Sequence, residues 1–190
     1  MFGLDGTFVR QWGTQGGGQG QFDDPYGVAV SGGGEVVVCD TCNHRIQVFG
    51  LDGTFVREWG TTGAGQGQLD YPCGVAVMGN EVVVCGTRSH RVQVFGLDGT
   101  FVRQWGTKGA GQGQFNQPRG VAISGRNEVV VCDTSNHRIQ VFGLDGTFVR
   151  QWGVEGIGPG QFQDPRAVAV SGRGEVIVSD HSCNHIQMFK

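Results

Sequence analysis

An all-β fold, a β-propeller of four four-stranded antiparallel blades, is predicted from three observations. First, the segment FGLDGTFVRQWG at Phe2 recurs at Phe49, Phe95 and Phe142, with Glu58 as its only replacement. Second, this spacing of 46 or 47 residues is typical of solenoids and propellers. Third, each unit contains four short strand patterns. The whole chain, 1–190, is therefore one domain with repeats 2–48, 49–94, 95–141 and 142–189.

The four strands of the first unit illustrate the pattern. Strand one is the segment 25–30 after the loop, and strand two is the valine run 35–39, whose continuous apolar character indicates burial on both faces. Strand three spans 45–49, and strand four spans 54–59 after the dipeptide Asp52-Gly53, which favours a tight hairpin. No ten-residue stretch has a period of 3.6, so we expect no helices.

The residues of the first unit also resemble a known family. The segments 22–30 and 43–49, with Cys39-Asp40 between them, are similar to the NHL repeat, and the third unit matches equally well through 136–139. The resemblance covers essentially the whole chain and implies a propeller. Propellers of this family bind proteins or RNA, and a few act on substrates, so the resemblance alone does not select a function.

Two units depart from the family pattern. The second unit has Gly86 where the others have aspartate, and Ser89 at the asparagine position. In the fourth unit a gapless alignment places Cys183 at the asparagine position, Asn184 at the histidine position and His185 at the arginine position. The resemblance implies an Asp–Arg brace in this hairpin, and these departures break its pattern in the second and fourth units.

The order of strands predicts how the ring closes. The chain starts with a fourth strand, 7–12, and ends with a third strand, 186–189. We expect the N-terminal strand to complete the last blade and cover its open edge, giving a closed four-bladed monomer. The alternative is that two chains exchange ends to form an eight-bladed ring.

The repeated histidines and cysteines do not predict a metal site or a cofactor. The recurring His44, His90 and His137 would have to converge to hold zinc, and backbone hydrogen bonding in the hairpin explains them better. The spacing of Cys39 and Cys42 occurs once without a partner pair. Aspartates of the Asp-Gly turns are explained by turn geometry, and the Gly-rich stretches are connectors.

Candidate binding residues are those that differ between units in the loop before strand one and in the hairpin between strands two and three. Both segments emerge around the mouth of the central channel, and tyrosine and arginine are the usual anchors of binding surfaces. Acidic residues gather there in the first two units and basic residues in the last two. The predicted partner-binding residues are Tyr26, Tyr71, Cys73, Arg88, Lys108, Arg119 and Arg166.

Charge and motifs rank three classes of function. A non-catalytic scaffold that binds a protein partner is the first expectation, and single-stranded RNA is the alternative ligand, although the formal net charge of -3 provides no broad cationic surface. A lyase like some relatives is the second alternative, and it would need a histidine–metal centre in the channel. We find no signal peptide or membrane span, and six cysteines without a disulfide framework favour a cytoplasmic protein.

Overall fold

The computed structural model describes residues 5–190 and contains four antiparallel sheets arranged as the blades of a β-propeller. Two short parallel pairs lie outside the blades: β1 (Thr14–Gln15) with β2 (Gln21–Phe22), and β15 (Val154–Glu155) with β16 (Gln161–Phe162).

Blade 1 comprises β3 (Pro25–Val30), β4 (Glu35–Asp40), β5 (Arg45–Gly50) and β6 (Phe55–Trp59). Blade 2 comprises β7 (Pro72–Met78), β8 (Glu81–Gly86), β9 (Arg91–Gly96) and β10 (Phe101–Trp105). Blade 3 comprises β11 (Pro118–Ile123), β12 (Glu128–Asp133), β13 (Arg138–Gly143) and β14 (Phe148–Trp152). Blade 4 comprises β17 (Pro165–Val170), β18 (Val176–Asp180) and β19 (His185–Phe189).

The all-β, four-bladed propeller is confirmed, and the strand limits lie within one residue of those predicted for the first unit. One turn of 3₁₀-helix at Thr134–Asn136 is the only helical element among the described residues. No helix between residues 5 and 190 is long and apolar enough to cross a membrane.

The hydrophobic core lies between consecutive blades. On one side of the first interface are Val37 and Ile46 of blade 1, and on the other are Val82 and Phe95 of blade 2, all essentially inaccessible to solvent. Equivalent clusters fill the next two interfaces. The valine run of strand two is buried on both faces in blades 1 to 3, as its uninterrupted apolar sequence predicts. In blades 2 and 3 this strand packs against a blade on either side, whereas in blade 1 it packs against blade 2 on one face and against Trp12 and Phe22 on the other.

The innermost strands approach one another closely at a repeated glycine. A Cβ atom added at Gly74 would lie 2.1 Å from the carbonyl oxygen of Arg119, and one added at Gly27 or Gly120 would meet the next inner strand in the same way. Glycine is needed here because the backbone of the next blade occupies the space of a side chain. The equivalent residue of blade 4 is Ala167, which is exposed.

Hydrogen bonds also join each blade to the next one along the chain. The buried hydroxyl of Thr41 donates to the carbonyl oxygen of Pro72 at 2.8 Å, and Thr87 and Thr134 donate in the same way across the following two interfaces. On the outer strands, the Arg57 guanidinium binds both carboxylate oxygens of Glu35 and donates to the carbonyl oxygen of Leu97 in blade 2. Each interface therefore combines apolar packing with polar links that run from one blade to its successor.

The junction between blades 4 and 1 differs from the other three. The described part of blade 4 has three strands, and the segment 7–12, predicted to be its fourth strand, forms only an isolated bridge at Phe8. This segment lies along blade 1, where Trp12 packs 6.0 Å from Phe49, as Trp59 packs on Phe95. The inner strand of blade 1 and the third strand of blade 4 remain open at this junction, since Val28 is 64% and Ile186 is 65% exposed. We call this junction the seam.

Candidate binding face around the channel mouth

The loops that precede the inner strands and the hairpins between strands two and three lie on one side of the ring, here called the mouth face. In every blade a backbone hydrogen bond ties the hairpin to the loop; in blade 1 the amide of Cys42 donates to the carbonyl oxygen of Asp23 at 3.0 Å. The same bond recurs in blade 2, where the amide of Arg88 donates to the carbonyl oxygen of Asp70 at 3.2 Å. The mouth face is therefore held on the rigid ends of strands, as a recognition surface requires.

An aspartate–arginine brace organises this face in blades 1 and 3. Asp40 is completely buried and accepts a hydrogen bond from Arg45 Nε at 2.8 Å, and two amide side chains, Asn43 and Gln47, donate to the same carboxylate. The Arg45 guanidinium also donates to backbone carbonyls of the preceding loop, including that of Gly18. Blade 3 repeats this brace with Arg138 Nε at 2.7 Å from Asp133.

Blade 2 lacks the carboxylate of the brace, as its sequence indicates. Arg91 keeps its bonds to the loop carbonyls of Gly65 and Gln68, but its buried Nε atom has no hydrogen-bond partner. Burial lowers the pKa of the Arg91 guanidinium. The second hairpin thus holds a cation without its usual counterion.

Blade 4 replaces two members of the brace. His185 pairs in register with Asp180, as Arg45 pairs with Asp40, which places it at the arginine position. Asn184 has φ 52°, the left-handed conformation of the three repeated histidines, so the gapless alignment is correct. The buried Asp180 accepts hydrogen bonds from the backbone amides of Gln163 and Asp164. Burial raises its pKa, but these two bonds together with hydrogen bonds from Cys183 lower it overall.

The repeated histidines connect neighbouring blades rather than approach one another. The amide of Tyr71 in blade 2 donates to His44 Nδ1 at 3.3 Å, and the amide of Gln117 in blade 3 donates to His90 Nδ1 at 3.1 Å. His137 Nδ1 lies 2.7 Å from the carbonyl oxygen of Gln163 in blade 4. Backbone bonding was predicted for them, but the bonded backbone belongs to the next blade and not to the histidine's own hairpin.

Four of the predicted binding residues form two tyrosine–arginine pairs on the mouth face. The Arg88 guanidinium lies 3.5 Å from the centre of the Tyr71 ring, and His44 contacts the same ring edge-on. Tyr26 of blade 1 is 45% exposed and lies beside Arg166 of blade 4, across the seam. The interaction with Asp164, and more weakly with Tyr26, raises the pKa of Arg166.

The other three predicted residues occupy different environments. Cys73 is only 5% exposed, and burial raises the pKa of its thiol, so its side chain is not available to a partner. Arg119 is partly buried and its Nε atom has no hydrogen-bond partner, whereas Lys108 is exposed. Cys73 was placed at the mouth by its variable position, but the close approach of the inner strands encloses it.

Ion pairing reduces the charge polarity expected of the mouth face. Arg166 Nε donates to Asp164 at 2.8 Å, so one of its basic residues is neutralised by its own loop. His181 also lies 3.6 Å from Asp164. Arg88 and Lys108 are the exposed cations of the predicted set.

Two open spaces adjoin the seam and the last blades. A cleft of about 460 Å³ on the mouth face lies at the seam, and its walls include Tyr26, Arg166 and Ile186. A larger groove of about 1060 Å³ lies between blades 3 and 4 on the opposite face and is bordered by Arg126, Arg173 and others. In blades 2 and 3 the turn between strands three and four contains Leu97 or Leu144, whose carbonyl oxygen accepts a hydrogen bond from the outer strand of the preceding blade. The described part of blade 4 has three strands and provides no such turn.

The sequence did not reveal the cleft or the cluster formed by Asp180, Cys183 and His185, whose possible ligand atoms lie within 4.8 Å of one another. The cleft depends on the geometry of the seam, which is not encoded in any one repeat. The cluster had a signal, because Cys183 and His185 were both recognised as departures at brace positions.

The fold and its mouth face define a four-bladed β-propeller in which the hairpins of blades 1 and 3 share one bracing pattern. The NHL repeat family matches residues 22–49 and 115–142, which are the hairpin regions of blades 1 and 3. Two matches to the NHL repeat within a four-bladed β-propeller support an NHL-repeat propeller. Residues of both complete braces fall within these matches, whereas the altered hairpins of blades 2 and 4 fall outside them.

Comparison with known proteins gives one short sequence match and several fold matches. The B-box type zinc finger protein ncl-1 of Caenorhabditis elegans is 67% identical over 30 residues, which cover 16% of this chain and 4% of that protein. Hydrazine synthase of Kuenenia stuttgartiensis has a TM-score of 0.68 at 16% identity, over 89% of this chain and 47% of its own. The computationally designed Ika4 protein has a TM-score of 0.62 at 17% identity, over 96% of this chain and 98% of its own. The chain thus spans about half of the first structural relative, and at these identities the structures show a common fold.

Proposed function

We propose that this chain is a non-catalytic binding module that recognises a protein partner through the mouth face. The observation that carries the proposal is the pairing of both tyrosines with arginines, Tyr71 with Arg88 and Tyr26 with Arg166, on one side of the ring. Tyrosine and arginine are enriched among the residues that dominate binding energy. The cleft beside Tyr26 adds the apolar wall of Ile186. Among structural relatives, one solved structure is a nidogen/laminin complex.

Charge favours a protein over RNA as the ligand. Phosphate binding requires several unpaired cations, and the net charge of the chain is -3. Arg166 is paired with Asp164, and Arg119 is partly buried. RNA binding remains the second candidate because Arg88 and Lys108 are exposed on the same face.

A lyase function receives less support. One relative of known structure is a virginiamycin B lyase from Staphylococcus aureus, with 16% identity and a TM-score of 0.62. The one cluster of three possible metal ligands within residues 5–190 lies in the β18–β19 hairpin rather than among the inner strands. A catalytic centre in the channel would need converging groups on the inner strands.

The experiment that tests the proposal compares variants on the two faces of the ring. Wild type and Tyr26→Ala/Arg88→Glu are used to capture proteins from a cell extract, and each captured protein is quantified. The double variant should lose its specific partner by about 30-fold or more, since truncating an interface anchor costs at least about 2 kcal/mol. Its melting temperature should stay close to that of the wild type, because both side chains are exposed.

The matched control is Arg126→Glu/Arg173→Glu, two exposed residues beside the groove on the opposite face. Full retention of the partner by this control variant supports the mouth face as the binding site. Loss of the partner in the control and not in Tyr26→Ala/Arg88→Glu would move the binding site to the groove. Loss of wild-type capture after ribonuclease treatment would favour RNA.

A further inference from the structure

We propose that Asp180, Cys183 and His185 form a binding site for a divalent transition-metal ion, with zinc the best match, in the β18–β19 hairpin. Their possible ligand atoms all lie within 4.8 Å of one another. Among the described residues, this is the only group of three such side chains at that spacing. This inference does not depend on the proposed partner binding.

The first argument is the charge that blade 4 has lost. In blade 1 the buried carboxylate of Asp40 is neutralised by the guanidinium of Arg45, at 2.8 Å. Asp180 is equally buried, at 1% exposure, but a histidine stands at the arginine position. Two backbone amides stabilise the Asp180 carboxylate, but no arginine neutralises it, and a bound metal ion would supply the missing positive charge.

The second argument is the chemistry of the replacements. The asparagine of the brace donates through Nδ2 to the carbonyl oxygen of Gly16 at 2.9 Å, and Cys183 at that position points its sulfur toward the equivalent carbonyl of Gly156. Asparagine and arginine of the repeat are thus replaced by cysteine and histidine, two ligands that zinc prefers. The acidic position of the brace stays unchanged as Asp180, and aspartate is also a metal ligand.

The third argument is geometry. His185 Nε2 lies 3.9 Å from Asp180 Oδ2. Zinc bonds of about 2.0 to 2.3 Å in a tetrahedron place the ligand atoms about 3.3 to 3.8 Å apart. Side-chain rotations that move these atoms by about 1 Å are therefore sufficient to form the site. His185 Nε2 lies 3.1 Å from the Gln187 amide nitrogen and accepts from it, so a metal ion would take the place of this hydrogen bond at the Nε2 lone pair. The fourth position of the tetrahedron is left for water.

Access to the site is open. Cys183 and His185 are partly exposed, and His185 also lines the cleft at the seam. A metal ion can therefore enter from solvent without unfolding the blade. The backbone amides that hold Asp180 come from Gln163 and Asp164, so its carboxylate is fixed in place before metal binds.

Titration of the full chain with Zn²⁺ tests the proposal. The protein is first treated with a chelator, and binding is followed by calorimetry and by the thiolate-to-metal absorption of Co²⁺. We expect one ion per chain, a visible Co²⁺–thiolate band and an increase in the melting temperature of several degrees with zinc. Cys183→Ser should remove the Co²⁺–thiolate band.

The chain supplies its own matched control, since Cys183→Asn/His185→Arg gives blade 4 the residues of blade 1. This variant should fold at least as stably as the chelated wild type and lose zinc affinity by about 100-fold or more. Cys42→Ser, which removes another partly exposed cysteine, should bind zinc as the wild type does. Absence of zinc binding by the wild type, or full binding by Cys183→Asn/His185→Arg, would overturn the proposal.

Discussion

Asp40 and Asp133 are fully buried carboxylates, and each is paired with the arginine five residues later. The same hairpin position carries glycine in blade 2 and an aspartate opposite histidine in blade 4. The four blades therefore sample a complete brace, a brace without its acid and a brace without its base. Comparison of these hairpins isolates the energetic role of each partner.

The complete brace makes a large contribution at the residue scale. Asp133→Ala leaves Arg138 buried without its counterion and should lower the free energy of unfolding by about 3–5 kcal/mol, measured by chemical denaturation. The converse change, Gly86→Asp/Ser89→Asn, offers a carboxylate to the unpartnered Nε of Arg91 and should raise stability. Replacing Ser89 is necessary because its hydroxyl lies 2.1 Å from a Cβ atom at Gly86. Equal stability of Asp133→Ala and wild type would show that the brace has no energetic role.

Much of this residue-level pattern was readable from the sequence. The missing acid at Gly86 and the shifted register of Asn184 were both predicted, because repeats can be aligned position by position. The environments of Cys73 and Arg119 were not predictable, since they depend on how closely two inner strands approach. The pairing of Arg88 with Tyr71 likewise depends on side-chain packing between a loop and a hairpin.

At the scale of the elements, the inner strands pack through glycine contacts that a methyl group would disrupt. Gly74→Ala places a Cβ atom 2.1 Å from the carbonyl oxygen of Arg119 and should lower the free energy of unfolding by about 1–3 kcal/mol through overpacking. The same substitution at Gly125 meets nothing within 4 Å and should change stability by less than about 0.5 kcal/mol. Denaturant midpoints of the two variants provide the comparison. If both variants had equal midpoints, the close approach of the inner strands would not constrain the interface.

The strands themselves were well predicted, because the valine runs and Asp-Gly turns act locally. The fourth strand of the last blade was the exception. Residues 7–12 have the sequence of an outer strand, and they lie where an outer strand lies relative to blade 1. The contacts on blade 1 are encoded by Arg10 and Trp12, whereas pairing with β19 depends on the closure of the entire ring.

At the scale of the whole molecule, we expect the seam to control thermal stability and the number of chains in the ring. Deleting residues 1–13 removes Trp12 from Phe49 and uncovers the apolar face of blade 1, so we expect a lower melting temperature and aggregation. Trp12→Ala and Trp59→Ala are the matched pair, since each indole packs on the third strand of the following blade. A truncated chain with an unchanged melting curve would rule out a stabilising role for this segment. Light scattering on the intact chain distinguishes one-chain from two-chain rings.

The hydroxyl bonds from Thr41, Thr87 and Thr134 each reach only the following blade. Under a pulling force applied at the two ends of the chain, such neighbour-only links give way one interface at a time. Each released unit of 46 or 47 residues adds roughly 160 Å of extended chain, at about 3.5 Å per residue. We therefore expect the propeller to lengthen in steps under force rather than to open at a single load.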